Sequence, residues 1–125
     1  MRPIFIKNIS DFPTGRLSPF RAVPVHLGAV VAQTRRSEPI ECGNNVQIGI
    51  WECTPGRWPR QVTRAEFSVF TAGRCTFEAT DGTVVEFSGG DAVFFPENTE
   101  GIWDVTETIR KAFVIFGPDE KHSAE

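Results

Sequence analysis

The chain has 125 residues, of which 40% are hydrophobic and 23% are charged, as in an ordinary soluble domain. Its formal net charge of −3 argues against nucleic acids and anionic membranes as partners, because proteins bind both through clustered lysine and arginine. The N-terminal residues contain proline and charge where a signal peptide is apolar, and no apolar run is long enough to span a bilayer, so we expect one cytoplasmic domain.

Residues 1–44 are predicted to be a lead-in with a first strand that packs on the main domain. Prolines and glycines interrupt residues 1–22. Alternating apolar residues then predict a strand from Val23 to Thr34. The polar, turn-rich residues that follow are expected to form a surface loop in which Arg35 and Arg36 are solvated.

The next segment begins with a strand predicted from Val46 to Cys53, which ends at a Thr-Pro-Gly breaker. Residues 57–65 contain Pro59 and three arginines, so they are expected to form a rim strand or a loop. Trp58, beside this proline, is predicted to cap the rim or to make a dimer contact.

Short strands separated by glycine turns fill residues 66–101. Asp81-Gly82 predicts a hairpin between strands 74–80 and 83–88, because Asp and Gly tolerate the positive φ of a two-residue turn. Two more strands are predicted at 102–107 and 108–116, followed by a C-terminal tail at 117–125. About eight to ten short strands with almost no helix indicate an all-β sandwich or a small barrel.

Two motifs in this segment resemble those of the cupins. Six residues lie between Glu66 and Gly73, with Gly49 upstream, and five residues lie between Gly90 and Pro96 in the phrase GDAVFFP. The resemblance covers residues 45–116 and implies a single-domain RmlC-like jelly-roll β-barrel, also called a double-stranded β-helix.

The phrases GIWECTPGRWPR and GIWDVTETIRKAFVIF are similar to a cupin subfamily related to ureidoglycine aminohydrolase and to ethanolamine-utilisation proteins. Many of its members have no assigned activity. The resemblance therefore implies a fold and usually a homodimer, but it does not imply a reaction.

The resemblance also defines where metal ligands are expected. Metal-binding cupins place two histidines before the motif glutamate, and these positions hold Arg60 and Val62, or Pro59 and Gln61 in the other register. The third histidine would fall at Gly101. Since only Glu66 remains, we expect no metal site and no cofactor; a divalent metal held weakly by Glu66 and Gln61, with a pocket carboxylate or His26, is the alternative.

The remaining histidines and the cysteines are assigned structural roles. His26 on the first strand and His122 in the tail are expected to be hydrogen-bonded or solvated. Cys42, Cys53 and Cys75 cannot all pair within one chain and show no CxxC spacing, so they are expected to be free thiols of the cytosol.

The resemblance implies that the Glu66 side chain points into the barrel. Because side chains two residues apart on a strand share a face, this orientation also predicts the other residues that line a pocket. The predicted ligand-binding residues are Trp51, Cys53, Arg60, Gln61, Glu66, Phe70 and Trp103. A carboxylate inside an apolar barrel is unfavourable unless it is paired or protonated. We therefore expect Arg60, an indole N–H, a water molecule or a ligand to satisfy Glu66.

Three functions fit this pocket. The first is binding of a small polar or nitrogen-containing metabolite, such as an amine, amide or ureido compound, between Trp51, Glu66 and Trp103. The alternative is a hydrolase, lyase or isomerase that uses Glu66 as general acid or base. In the third, the tryptophans fill the barrel of a scaffold. An open funnel ending at Glu66 would favour the first two functions, and a filled barrel would favour the third.

Overall fold

Strands make up most of the computed structural model, which describes residues 2–117. Two 3₁₀ turns, Ile9–Asp11 and Thr14–Arg16, precede them. The nine strands, in chain order, are β1 Arg21–Ala22, β2 Gln33–Arg36, β3 Ile40–Glu41, β4 Gln47–Cys53, β5 Gly56–Val62, β6 Ala65–Ala79, β7 Val84–Ser88, β8 Ala92–Phe95 and β9 Thr99–Phe116.

The two long strands, β6 and β9, organise the sheet. They pair antiparallel along their whole length, from Ala65 opposite Phe116 to Ala79 opposite Gly101. In the first half-sheet, the first half of β6 pairs with β8 and the second half of β9 pairs with β4. Strand β4 in turn pairs with β2 and β3. In the second half-sheet, the second half of β6 pairs with β7 and the first half of β9 pairs with β5. The fold therefore consists of two half-sheets that share their two central strands.

A bend between the half-sheets closes the barrel. The pairing of β6 with β9 shifts register three times between Phe70 and Cys75. Gly73 lies in this bend with φ +88°, and a Cβ atom there would collide with the backbone of Thr108. Because the central strands bend here, the half-sheets face each other, and Phe70 of the first stacks on Phe87 of the second at 5.0 Å between ring centroids.

The all-β jelly-roll architecture predicted from the sequence is confirmed. The predicted hairpin is also present, with Glu78 of β6 opposite Val84 of β7. Gly82 has φ +88°, and the carboxylate of Asp81 accepts a hydrogen bond of 2.9 Å from the backbone N–H of Thr83. This hydrogen bond lowers the pKa of Asp81.

The strand predicted from Val23 to Thr34 is wrong over most of its length. Residues 23–32 contain no strand, and only the last two residues of the predicted segment belong to β2. The segment is a loop that closes on itself, with the N–H of Val23 donating to the carbonyl of Ala32 at 3.0 Å. Alternation of apolar residues predicts a strand only where a partner strand takes up the backbone hydrogen bonds, and Leu27 instead donates a single bond to Arg57.

The loop predicted after Thr34 contains the rest of β2 and the short strand β3, both of which pair with β4. Arg35 is not solvated as predicted, because its Nε donates to the Glu52 carboxylate at 2.7 Å. The strands predicted at 102–107 and 108–116 are one strand, β9, and those on either side of Gly73 are one strand, β6. Glycine at a bend does not end a strand when pairing resumes beyond it.

The N-terminal segment packs on the outer face of the first half-sheet, where Phe12 and Leu17 cover Ile50. Within residues 2–117, no helix has the length and apolar character needed to cross a membrane. The predicted tail, apart from Gly117, and His122 lie outside the described residues.

Candidate functional site

The interior of the barrel contains a buried ion pair between Glu66 and Lys111. Both side chains are almost inaccessible to solvent, at 0% and 2% of their surface. The ammonium of Lys111 binds the Oε2 atom of Glu66, and the hydroxyl of Ser68 donates to the same oxygen at 2.6 Å. The carboxylate predicted to need a partner has therefore found two within the protein.

Strand register explains why Lys111 points inward. Lys111 on β9 lies opposite Trp51 of β4 on one side and opposite Phe70 of β6 on the other. Residues directly opposite each other in a sheet project to the same face, so these three side chains form one row inside the barrel. Glu66 is four residues before Phe70 on β6 and faces the same way.

Aromatic rings surround the ammonium group. The Nζ atom of Lys111 lies 4.6 Å from the ring centroid of Trp51, 5.9 Å from that of Phe95 and 6.0 Å from that of Trp103. Cation–π attraction to these rings offsets part of the cost of removing a lysine from water. The pair is thus held in an apolar, water-poor part of the barrel, where electrostatic attraction is strong.

The sequence carries one signal for an inward Lys111. Along β9 the buried positions alternate through Ile109, Lys111, Phe113 and Ile115. A single lysine in a row of otherwise apolar inward positions is a buried cation, and a buried cation needs an acidic partner. Glu66 was the only inward acid that the resemblance supplied.

Most of the predicted site residues lie together. Trp51, Phe70 and Trp103 are buried around the ion pair, with ring centroids 6.3 Å apart for Trp51 and Trp103 and for Phe70 and Trp103. Arg60 lies beside them, with its guanidinium 5.7 Å from the ring centroid of Trp51.

Gln61 is not part of this group. On β5 the inward positions are Trp58, Arg60 and Val62, whereas Gln61 is exposed on the opposite face of the strand. Trp58 is buried rather than at a rim, because it lies opposite Trp103 on β9 and packs 6.4 Å from Trp51. The prediction that it caps a rim or contacts a second subunit is therefore wrong.

The two buried cysteines have raised pKa values, which favour the protonated thiol. Burial raises the pKa of Cys53 to about 11, against smaller lowering effects of a hydrogen bond from Trp58 and of the charges of Arg60 and Lys111. Burial also raises the pKa of Cys75 to about 12, with a further rise from Cys53. His26, which was considered only as a weak metal ligand, is exposed in the loop before β2, and its Nδ1 lies 2.6 Å from the carbonyl oxygen of Gly28.

The residues at the usual cupin metal positions do not fit a metal ion. Lys111 already places a positive charge on the Glu66 carboxylate. At Gly101, where the third histidine would lie, a Cβ atom would come within 2.5 and 2.6 Å of two ring carbons of Phe77 and still closer to a backbone oxygen. Within residues 2–117, no three His, Cys, Asp or Glu side chains converge on a point where they could hold a metal.

Among the described residues, Arg60 lines the two cavities that follow, and Glu66 lines neither of these two. One, of about 570 Å³, lies along the outer ends of β5, β6 and β9. The other, of about 490 Å³, is the Trp51 cavity; it is lined by residues 18–21, Thr34, Arg35, Arg36, Trp51 and Arg60. Glu66 is fully buried, and Trp51 is the member of its aromatic surroundings that lines the second cavity.

The indole N–H of Trp103 is a further polar group of the interior. Trp103 is almost fully buried, and its Nε1 atom has no hydrogen-bond partner among the described residues. Buried donors are nearly always satisfied by protein or by an ordered water molecule.

Comparison with known proteins agrees with this architecture. The profile of the EutQ-like cupin domain family matches residues 41–113. A search of curated protein sequences finds no significant match.

Solved structures with similar folds include the EutQ protein of Clostridium difficile, with 19% identity and a TM-score of 0.61 over 76% of this chain and 78% of that one. A protein from Thermotoga maritima has 27% identity and a TM-score of 0.52 over 54% of this chain and 76% of that one. A putative ethanolamine utilization protein from Salmonella typhimurium has 14% identity and a TM-score of 0.59 over 81% of this chain and 96% of that one.

Proposed function

The chain belongs to the family of EutQ-like cupin domains, and on that premise we propose that it binds a small polar metabolite in the Trp51 cavity without a metal ion. The observation that carries this proposal is the cavity itself. It has about 490 Å³ of space, an aromatic wall in Trp51 and polar side chains around it, which is the usual make-up of a small-molecule site.

The Glu66–Lys111 pair supports the metal-free part of the proposal. An ammonium on the carboxylate supplies the positive charge that a metal supplies in other cupins, and the aromatic rings around it leave no second set of ligands. An amine ligand bound directly to Glu66, as first predicted, would have to displace Lys111. We therefore place the ligand above Trp51 and not on Glu66.

The enzymatic alternative, with Glu66 as general acid or base, has less support. Its carboxylate is fully buried and bound by Lys111 and Ser68, so a substrate at the Trp51 cavity does not reach it without a rearrangement. The scaffold alternative agrees with the packing around Glu66, but it gives no role to the Trp51 cavity.

Two further features of the protein are proposed here. We propose a cytoplasmic location, supported by three cysteines that remain free thiols. We also propose a homodimer, supported by an apolar row across the outer face of the first half-sheet. Strand register aligns Ile40, Ile48, Val114, Phe67 and Phe94 in this row.

The binding proposal is tested by a thermal-shift screen of small metabolites, combined with elemental analysis of the purified protein. We expect at least one compound to raise the melting temperature and Trp51→Phe to weaken its binding, since the indole forms the wall of the cavity. Treatment with EDTA should not change binding. A stoichiometric transition metal in the protein, or binding that requires added metal, would contradict the proposal.

A further inference from the structure

We propose a second small-molecule site, separate from the Trp51 cavity, that takes an α-amino acid with an apolar side chain. The site is a cavity of about 440 Å³ lined by residues 5–7, Phe12, Arg16 and residues 37–40, and we call it the Phe12 cavity. It shares no lining residue with the Trp51 cavity, so the inference goes beyond the proposed function. It follows from an apolar floor and from opposite charges that line one space without pairing.

Backbone contacts hold the two walls of the Phe12 cavity side by side. Leu17, which follows the second 3₁₀ turn, forms an antiparallel bridge with Ser37. Ser37 is held from β4 as well, because its N–H donates to the carbonyl of Ile50 at 3.0 Å and its hydroxyl accepts from the N–H of Ile50 at 2.9 Å. The N-terminal wall and the wall before β3 are therefore both fixed on the sheet, as in a preformed site.

The floor of the cavity is apolar. Phe12 is buried, with 4% of its surface exposed, and the half-buried Ile6 and Ile40 line the same space. Ile6 also packs against the core cluster that contains Phe12 and Ile50. A cavity of this size with apolar walls and a few polar groups is typical of a site for a small organic molecule. The floor thus favours a ligand with an aliphatic or aromatic side chain.

Three charged side chains line the cavity: Lys7, Arg16 and Glu38. All three are exposed, and none of them forms an ion pair with another residue of the described range 2–117. Arg16 contacts the floor, with the central carbon of its guanidinium 5.2 Å from the ring centroid of Phe12. Opposite charges do pair elsewhere on this side of the protein, as at Glu52, whose carboxylate binds two arginines.

Unpaired charges of both signs in one cavity match a ligand that carries both signs. A simple carboxylate would meet the charge of Glu38, and a simple amine would meet those of Lys7 and Arg16. In an α-amino acid the carboxylate can accept hydrogen bonds from Arg16 and Lys7 while the ammonium group faces Glu38. The contact with Phe12 orients the planar fork of Arg16, which matches the two oxygens of a carboxylate. The side chain of the amino acid then lies on the apolar floor.

The test is a titration of the isotope-labelled protein with L-leucine, followed through backbone amide and indole NMR signals. Three compounds each lack one part of leucine: isocaproate lacks the ammonium group, isoamylamine lacks the carboxylate and glycine lacks the side chain. The variants are Arg16→Gln and Glu38→Gln. Arg21→Gln is the matched control, since Arg21 is also an exposed arginine but lines the Trp51 cavity.

We expect leucine to shift the amide signals of Lys7, Ser37 and Ile40 and to leave the indole signal of Trp51 unchanged. Leucine should bind about tenfold or more tightly than each of the three partial compounds, as for loss of a charge-assisted hydrogen bond or of an apolar side chain.

The variants should separate the two charges. Arg16→Gln should weaken the binding of leucine and isocaproate about tenfold without weakening that of isoamylamine. Glu38→Gln should weaken the binding of leucine and isoamylamine without weakening that of isocaproate. Arg21→Gln should bind leucine as the wild type does.

Three results would overturn the inference. Equal affinities for leucine and isocaproate would refute a zwitterionic ligand. A shift of the Trp51 indole signal in place of the Lys7, Ser37 and Ile40 signals would place leucine in the Trp51 cavity, which refutes the second site and supports the proposed function. If leucine, valine and phenylalanine shift no signal, this inference fails, and the proposed function is decided separately by its own screen.

Discussion

Lys111 gives the barrel interior its electrostatic character. With Glu66 it forms a pair of opposite charges in an apolar space, and Ser68 adds a hydrogen bond to the carboxylate. A buried ion pair contributes little net stability compared with apolar residues of the same shape, but either charge alone is strongly destabilising. The pair therefore constrains the sequence at two positions that are 45 residues apart.

Cys53 and Cys75 illustrate how burial determines reactivity at single residues. Because their pKa values are raised to about 11 and about 12, both remain protonated at neutral pH, and a protonated thiol is a poor nucleophile. The raised pKa values also contribute stability that is present below the unfolded value near 9 and is lost as the pH rises through about 11 to 12. Neither thiol is suited to covalent catalysis in the folded protein.

At the scale of elements, β9 crosses both half-sheets and carries two residues that bear on the proposed absence of a metal ion. Gly101 is near its start, and Lys111 is in its second half. The close approach of the Phe77 ring and of the Glu78 carbonyl leaves no room for any side chain at Gly101. The strand thus lacks a metal ligand at one position because of packing and supplies a cation at another.

We predict that Gly101→Ala destabilises the protein by about 1–3 kcal/mol, the usual cost of overpacking a well-filled core. The measurement is the free energy of unfolding in urea. Gly28→Ala is the control, because a Cβ atom there meets no other atom within 4 Å, and its effect should stay within about 0.5 kcal/mol. Equal effects of the two substitutions would show that Gly101 is not sterically restricted.

The elements that the sequence predicted best are those with local signals. Asp81-Gly82 defined a hairpin because the turn and both strands lie within fifteen residues, and the strand ending at Cys53 stopped at a proline and a glycine. The loop at 23–32 was predicted as a strand because alternation does not report whether a partner is present. The lengths of β6 and β9 depend on pairing across the bend, which glycine positions alone do not indicate.

The candidate site was predicted only in part for the same reason. The resemblance predicts that Glu66 points inward, and alternation along the strands then predicts Trp51, Phe70 and Trp103 on the same inner face, where they are buried. Its cationic partner and the arginines of β1 and β2 come from distant segments, and only their register in the sheet brings them together. Gln61 was predicted as a site residue because it occupies a histidine position in one of the two possible registers of the metal motif. Strand alternation instead places it on the face of β5 opposite to Arg60.

At the scale of the whole molecule, the two half-sheets differ in their outer faces. The outer face of the first half-sheet carries the apolar row, in which Phe67 and Phe94 are 42% and 51% exposed. Phe94 also stacks on Phe116 at 5.9 Å between ring centroids. An apolar row with exposed phenylalanines is typical of a protein–protein contact, and a second copy of the chain can cover it through a symmetric interface.

We predict that the wild-type protein has about twice the chain mass of 13.9 kDa in light scattering after size-exclusion chromatography. Phe67→Glu should shift it toward the monomer, because a carboxylate would be buried at the centre of the interface. Val84→Glu introduces the same charge at an exposed position of the other half-sheet and should leave the mass unchanged. A monomeric wild-type protein would refute the homodimer.

We propose that Lys111 takes the place of a metal ion at Glu66, and a double-mutant cycle in the free energy of unfolding tests whether these two side chains act as a pair. We expect Lys111→Met to cost about 3–5 kcal/mol, because it leaves the Glu66 carboxylate buried without its cation. Adding Glu66→Gln to that variant should recover about 0.5–3 kcal/mol, the range of coupling for residues in contact. Lys7→Met, at an exposed lysine, should change stability by less than about 0.5 kcal/mol. Independent, additive effects of Lys111→Met and Glu66→Gln would contradict the claim.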